Sequence, residues 1–364
     1  MGFIAAPAPA PSTPSILFVT ANLPTPEDEA AIWIGKIEAY LNDPLNALRA
    51  RGATVDLRTF QDASLTPSAI ASTYTHILFL AVDKYIHHMS AFTHFLTITL
   101  PAAQRLSPAL RIQNPPALIA WNANKTYLSE LQRLHHPAFR VPRTTFLDPA
   151  TTTPDALAAH LAADPDVAAA APTTPVVLKP SIAASGHSTH LLRTPLALTA
   201  ADAAALASMR ANAAPGAALM CQEYLARVAA RDGEDGGEWS MVVVDGVLTH
   251  AVRKRPREGE FRINSAFKGV WEPMEAGDAR VPECGRRAAE GVWGWLKGKE
   301  AELKGEGTGE LLYARVDGVV GEDGAFVLME VELIEPWLWM LDQEGHPGRE
   351  GLRVFVDAVV GKGY

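Results

Sequence analysis

Cysteine is scarce in this 364-residue chain: there are two, Cys221 and Cys284. Two thiols cannot frame a disulfide-stapled fold, so stability must come from a packed core, and the chain fits a reducing compartment such as the cytoplasm. Long apolar runs are also missing; none approaches the roughly 18 consecutive apolar residues of a membrane helix. Positive charge is in deficit, with 32 Lys and Arg against 41 Asp and Glu and a net charge of −9. That balance disfavours general binding to a phosphate backbone, and with it nucleic acid as a partner. Residues 1–14 lack the basic start of a signal peptide and break at once into Pro-Ala repeats, which reads as a flexible tail. What remains is an ordinary globular composition, 48% hydrophobic and 20% charged, on a chain long enough for two or three domains.

The most informative stretch is 311–336, LLYARVDGVVGEDGAFVLMEVELIEP. It reads as two strands joined by a turn at Gly321–Gly324, since Asp-Gly favours a tight reversal. A side-chain period of two puts Tyr313, Arg315 and Asp317 on one face, with Leu312, Ala314 and Val316 on the other. Glu330 and Glu332 then share a face opposite Met329, Val331 and Leu333. Three carboxylates and an arginine therefore converge on an otherwise apolar hairpin. Crowded like charges disfavour one another's ionised forms, and a divalent cation held by oxygen donors removes that conflict. The plainer alternative is a surface hairpin whose acids face water.

Upstream, Ser15–Thr20 reads as a buried strand, followed by a helix over 27–50, a strand over 53–60 and another over 75–80. This is an α/β pattern with parallel pairing. The loops at 21–29 and 81–88 follow strand ends, where ligands usually bind in such sheets. A helix from His88 or Met89 to about Leu100 comes next. Residues 114–122 read as a short strand entering a loop. Lys125 then opens a helix over 126–135 that Asn122 or Asn124 caps. A lysine there opposes the helix dipole unless it and the helix terminus serve a phosphate together.

The Ala- and Pro-rich segment 148–175 reads as a surface excursion. A strand ending at Lys179 follows, then the small-residue loop SIAASGHSTH, whose backbone amides can approach an oxyanion closely. It lacks Walker A spacing. His187 and His190 have no partners at zinc-site spacing. Ala200–Ala211 is a helix with a Thr199/Asp202 capping box, and 237–252 a hairpin turned at Asp245-Gly246. Basic residues at 253, 254, 255, 257 and 262 form either an anion pocket or a solvated patch. Residues 281–303 and 352–360 read as helices. Trp293 and Trp295 read as core, whereas Trp337 and Trp339 wall a substrate pocket or join the core.

These stretches together resemble the ATP-grasp ligases. Asn114-Pro115…Trp121-Asn122-x-x-Lys125-x-Tyr127-Leu128, the Val141-Pro142-Arg143-Thr144 strand, Lys179 with its small-residue loop, and Gly237-Glu238-x-Ser240 all match family motifs. So do Gly259-Glu260-Phe261-Arg262 and the Arg315-x-Asp317…Glu330-x-Glu332 hairpin. The last resembles in particular the glutathione-synthetase and ribosomal-protein-modifying branch. Glu332 stands where many members carry Asn, and Val270 where relatives carry a second glycine.

The resemblance implies an α+β ATP-grasp fold, two α/β lobes clasping ATP, preceded by an N-terminal α/β domain. The division would be a tail at 1–14, an N-terminal domain at 15–112, a central lobe at 113–219 and a C-terminal lobe with the metal site at 220–364. It implies ATP and Mg²⁺ (Mn²⁺ as the alternative ion), the metal on Asp317, Glu330 and Glu332. Lys125, Lys179, Ser185, Gly186, His187 and Ser188 would meet the phosphates. Met220, Gln222, Glu223, Tyr224 and Leu225 would hold adenine and ribose. Arg315, Arg262, Lys254 and Glu238 would serve catalysis. The implied reaction joins a carboxylate to an amine through an acyl phosphate, with small molecules, amino acids or a peptide as substrates, and is compatible with a homodimer. A kinase on the same fold and a nucleotide-binding protein with little turnover are the alternatives.

Overall fold

The computed structural model describes residues 13–21, 41–82, 85–165, 167, 174–183, 188–230, 236–257, 269–303 and 309–361. Four parallel strands come first: β1 (Ser15–Thr20), β2 (Thr54–Thr59), β3 (His76–Ala81) and β4 (Arg111–Gln113), in the order β2-β1-β3-β4. β1 is buried on both faces, Ile16 and Phe18 in one apolar cluster and Leu17 and Val19 in another. A parallel strand covered on both sides demands such an unbroken apolar run. Of the helix expected over 27–50, Asn42–Ala50 lies among the described residues. The helix expected to end near Leu100 continues to Leu106 through a π-turn at Phe95–Thr99. The loop candidate at 21–29 falls largely outside the described residues, whereas 81–88 is described except for 83 and 84 and contains the 3₁₀ turn Tyr85–His88.

The second sheet is antiparallel: β5 (Thr144–Leu147), β6 (Val176–Pro180), β7 (His190–Leu192) and β8 (Leu219–Glu223), in the order β5-β8-β6-β7. The Ala-rich segment expected to be a surface excursion instead contains helix Pro154–Ala163, with Pro154 in its first turn and Thr153 capping the Ala156 N–H. Its Leu157 and Leu161, one turn apart, pack on Leu178, Leu219 and Cys221. An i, i+4 leucine pair amid alanines was the signal for a sheet-covering helix. Helix Ala200–Ala211 covers the same cluster and has the expected capping box.

The third sheet is antiparallel with order β11-β10-β9-β12-β13, where β9 is Glu238–Val244, β10 Val247–Arg255, β11 Val270–Glu275, β12 Tyr313–Val320 and β13 Phe326–Glu332. Asp245 and Gly246 turn the β9–β10 hairpin with φ of 48° and 79°, the positive pair that a tight two-residue turn requires. Helix Glu283–Leu303 packs Ala288, Val292 and Leu296 on Trp239, Met241, Val243, Ala314 and Val316. On the opposite face Val242, Val244, Val252 and Tyr313 meet Leu45 and Leu48 of helix Asn42–Ala50 and Phe355 of helix Gly348–Val360. The period of two holds along β12, but a bulge after Asp317 shifts its partner strand. Met329 consequently joins Val319 and Val327 and not Val331 and Leu333. Gly318 sits at this bulge because a Cβ there would lie 2.4 Å from the Val327 carbonyl oxygen.

β13 is an edge strand, and its outer polar groups are satisfied from residues that precede it by some 200 positions. Asn122 donates to the Val331 carbonyl at 2.8 Å and accepts from the Leu333 N–H at 3.1 Å. The Tyr127 hydroxyl meets the Val331 carbonyl and N–H, both at 2.9 Å. Asn114, fully buried, donates to the Tyr313 and Leu333 carbonyls and accepts from the Leu312 and Tyr313 N–H groups. Residues 116–122 are a helix and not the expected strand. Pro116 in its first turn and Leu118, Ile119 and Asn122 on one face carry a helical period. Among the described residues no helix is long and apolar enough to cross a membrane.

Asn114→Ala should lower stability by roughly 3 kcal/mol or more, because it strands several buried backbone groups. Urea unfolding checks this. A loss below about 1 kcal/mol would mean the amide contributes little to joining the segments.

Candidate active site

Alternation along three neighbouring strands gives the third sheet one charged face. Cross-strand register sets Lys254 opposite Glu238, Asp317 between Ser240 and Glu330, and Arg315 between Val242 and Glu332. Residues directly opposite share a face, so Glu238, Ser240, Lys254, Arg315, Asp317, Glu330 and Glu332 lie together. The opposite face of the same strands is the apolar one under helix Glu283–Leu303.

The charges are paired. Arg315 donates to both Asp317 oxygens at 2.8 to 3.1 Å and to Glu332. Lys254 pairs with Glu238 and lies 3.4 Å from Asp317, while the Ser240 hydroxyl donates to Asp317 at 2.6 Å. Burial pushes the Asp317 carboxyl up, yet Arg315 and Lys254 outweigh it and hold the group at about 2. Burial also opposes the charge on Lys254, but Asp317 and Glu238 raise its pKa overall. Glu238 is raised by burial against the pull of Lys254. Glu332 is pushed up to about 7 by burial, and Glu330 and Asp317 add to the rise against Arg315. It is the least compensated acid of the set.

Two further cations reach this face from outside the sheet. Lys125 lies 3.0 Å from Glu330 and donates to the Ala183 carbonyl at 2.5 Å. The helix expected to begin beside it starts as a three-residue 3₁₀ turn, Lys125–Tyr127, and becomes α-helical over Leu128–Leu134, with Asn124 as cap. So short a helix has little dipole, and Glu330 supplies the countercharge. Lys179 sits on β6 opposite Met220 of β8. Burial lowers its pKa, Glu330 pulls it up and Lys125 pushes it down. It is a half-buried ammonium with no ion-pair partner among the described residues.

The three expected metal ligands are neighbours in register. Among the described residues, however, no three acids, histidines or cysteines form a ready cage, since each acid is turned toward a cation. Their donor chemistry nevertheless fits a hard divalent cation: all three are carboxylates, set in neighbouring register positions.

Other expectations divide. Met220 is fully buried in the core. The Gln222 amide donates to Thr144 at 2.8 Å, and Glu223 accepts from the Arg143 N–H and pairs with Arg140. Leu225 packs with Val319 and Val327, and Tyr224 lies beside it, past the end of β8. Burial pushes the Cys221 thiol up to about 12, so it is inert. The basic run splits by alternation. Arg253 turns to the other face, where it pairs with Glu272 and stacks on Trp239, away from Lys254. Ser185, Gly186, His187 and Arg262 lie outside the described residues, and Ser188 has φ of 57°. Sequence reading missed the bond from Ser240 to Asp317, although Glu238-x-Ser240 put both side chains on one face.

Lys254→Met should cost about 3 kcal/mol or more in chemical denaturation, because it leaves Glu238 and Asp317 buried with less countercharge. Adding Glu238→Gln should recover part of that loss. Unchanged stability in the single variant would mean the pair is hydrated.

No family model and no curated protein sequence matches the chain. Solved structures do. D-cycloserine synthetase DcsG superposes with a TM-score of 0.66 at 23% identity over 94% of this chain and 99% of that one. D-alanyl-alanine synthetase A from Vibrio cholerae gives 0.58 at 12% identity over 96% and 100%. Macrocyclase MdnC from Microcystis aeruginosa, bound with its precursor peptide MdnA, gives 0.53 at 10% identity over 96% and 100%. Another neighbour, PsnB, is described as an ATP-grasp ligase. At these identities the likeness concerns architecture: the chain has the α+β ATP-grasp fold.

Proposed function

We propose that this chain is an ATP-dependent ligase that joins a carboxylate to an amine through an acyl phosphate, releasing ADP and phosphate. The observation that carries the reading is the meeting, on one sheet face, of Arg315, Lys254 and four carboxylates with two lysines, Lys125 and Lys179, delivered from elsewhere in the fold. Neighbours named as synthetases, a macrocyclase and a ligase support it.

ATP is clasped between lobes 113–219 and 220–364, with 15–112 ahead of them. Met220, Gln222, Glu223, Tyr224 and Leu225 line the adenine and ribose end. Lys179, half-buried and without an ion-pair partner among the described residues, gains most from a phosphate, and Lys125 exchanges Glu330 for another. Ser185, Gly186, His187 and Ser188 cover the phosphates and exclude water. Asp317, Glu330 and Glu332 would hold Mg²⁺ or Mn²⁺, which supplies charge neutralisation on phosphate oxygens.

The substrate carboxylate attacks the γ-phosphorus in line, the bond to the bridging oxygen breaks, and ADP leaves. Positioning and charge compensation carry such a step. Arg315 and Arg262 then hold the acyl phosphate while the amine nitrogen attacks the acyl carbon. The oxyanion is stabilised by Arg315, and phosphate departs with the C–O electron pair. Lys254, fixed by Glu238 and Asp317, keeps positive charge beside the reacting carboxylate. No protein nucleophile is needed.

ADP and phosphate release, assayed over a panel of carboxylates with and without amines, tests this. Phosphate release requiring both, with a new amide mass, is expected. ADP with a stable phosphorylated product would replace the ligase by a kinase. Asp317→Asn and Glu330→Gln should abolish turnover in folded protein, and Lys179→Ala should weaken ATP affinity by about tenfold or more. Unaltered ATP affinity in Lys179→Ala would overturn its role.

A further inference from the structure

After β13 the chain does not leave the sheet but crosses it. The Tyr313 hydroxyl donates to the Ile334 carbonyl at 2.9 Å, Arg315 donates to the Trp337 carbonyl at 3.2 Å, and His250 of β10 meets the Leu338 carbonyl at 2.8 Å. Burial pushes His250 down to about 4, so its ring is neutral and donates to that carbonyl at neutral pH. This strap divides the sheet face. On one side lie Val242, Val244 and Val252 with the helices above them; on the other lies the charged array.

At the boundary stand three tryptophans. Trp337 and Trp339 come from the strap. Trp271 comes from β11, where its register opposite Lys254 puts it on the charged face. Their ring centroids are 5.7 to 6.5 Å apart, and the Arg315 guanidinium lies 5.5 Å over Trp339. Lys125 reaches the array at β13, the opposite edge of the sheet from β11. On the ligase reading, the phosphates therefore occupy one end, and the tryptophans border the end left for the substrates.

Two properties of this wall narrow what it faces. Trp339 is 6% exposed and joins the apolar cluster under helices Asn42–Ala50 and Gly348–Val360, while Trp271 and Trp337 pack against that cluster and stay partly exposed toward the charged array. The Arg315 guanidinium already occupies one face of Trp339, which closes that face to a cationic side chain. A flat apolar body offers the indoles edge-to-face contact, while a carboxylate suits Arg315 and Lys254.

We propose that Trp271, Trp337 and Trp339 form the side-chain wall of the carboxylate substrate's pocket, and that this pocket selects an amino-acid-like carboxylate with an aromatic side chain over one of alanine size. The proposal rests on the ligase reading for its placement of the nucleotide, but its test does not require turnover.

The full chain, saturated with Mg²⁺ and a non-hydrolysable ATP analogue, is titrated calorimetrically with alanine, phenylalanine and tyrosine, each as both enantiomers. One aromatic enantiomer should bind at least about tenfold more tightly than the matching alanine. Trp271→Ala should shrink the aromatic preference to within about twofold, and Trp271→Phe should restore most of it. Analogue binding in each variant reports that the fold is kept. Equal affinity for alanine and the aromatic acids, no binding of the aromatic acids, or a preference that survives Trp271→Ala would overturn the pocket. Failure of the analogue itself to bind the unaltered chain would instead count against the nucleotide reading.

Discussion

Compensation of buried charge governs this molecule. Asp317 is 3% exposed and Glu238 7%, positions at which an unpaired carboxylate would carry a large desolvation penalty. Arg315 and Lys254 remove that penalty, and Ser240 adds a short hydrogen bond. The set is balanced as it stands: Lys125, Lys179, Lys254 and Arg315 against Glu238, Asp317, Glu330 and Glu332. Balance also makes it responsive. On the proposed function, a phosphate competing for Lys125 would release Glu330, and the freed carboxylate would be available to the cation that accompanies the phosphate. Among the described residues Lys179 has no such partner to give up, and its half-buried ammonium is the most direct invitation to an anion.

The array can be assembled only because separate parts of the fold are locked to one another. β13 carries two of the acids at the exposed margin of its sheet, where its backbone would otherwise be open to pairing with another chain. Asn114, Asn122 and Tyr127 close that margin with bonds to Leu312, Tyr313, Val331 and Leu333. Lys125 belongs to the same segment as these three residues. The contacts that protect the edge thus also bring the phosphate-binding candidate to Glu330. On the other side, the strap of residues 334–338 ties β12 to β10 and sets the tryptophans beside Arg315.

Much of this was legible in the residues. The Arg315-x-Asp317 and Glu330-x-Glu332 spacings fix a shared face as soon as both stretches are strands. The Asp245-Gly246 turn and the Thr199/Asp202 capping box are local chemistry with local consequences. The misreadings have physical causes. Residues 116–122 follow two prolines and carry a short apolar run, which strand and helix can share. The alanines of 154–163 hid a leucine pair that needed only one turn of helix to reach the sheet. The basic run at 253–257 looked like a single pocket, but a strand sends alternate side chains to opposite faces, so Arg253 and Lys254 never meet. Met329 was displaced by a bulge whose only local sign was Gly318. The partners of Asn114 lie some 200 residues away, and no spacing rule reaches that far.

The central claim is that the carboxylate oxygen of a substrate attacks ATP on this charged face. Supplying a productive carboxylate labelled with ¹⁸O in its carboxyl group, together with amine and Mg-ATP, tests it directly by mass analysis of the released phosphate. Passage through an acyl phosphate transfers one labelled oxygen to each phosphate formed, and the account predicts that transfer. Phosphate released at the same rate without label would mean that water, and not the substrate, attacks the nucleotide, and the account would be wrong.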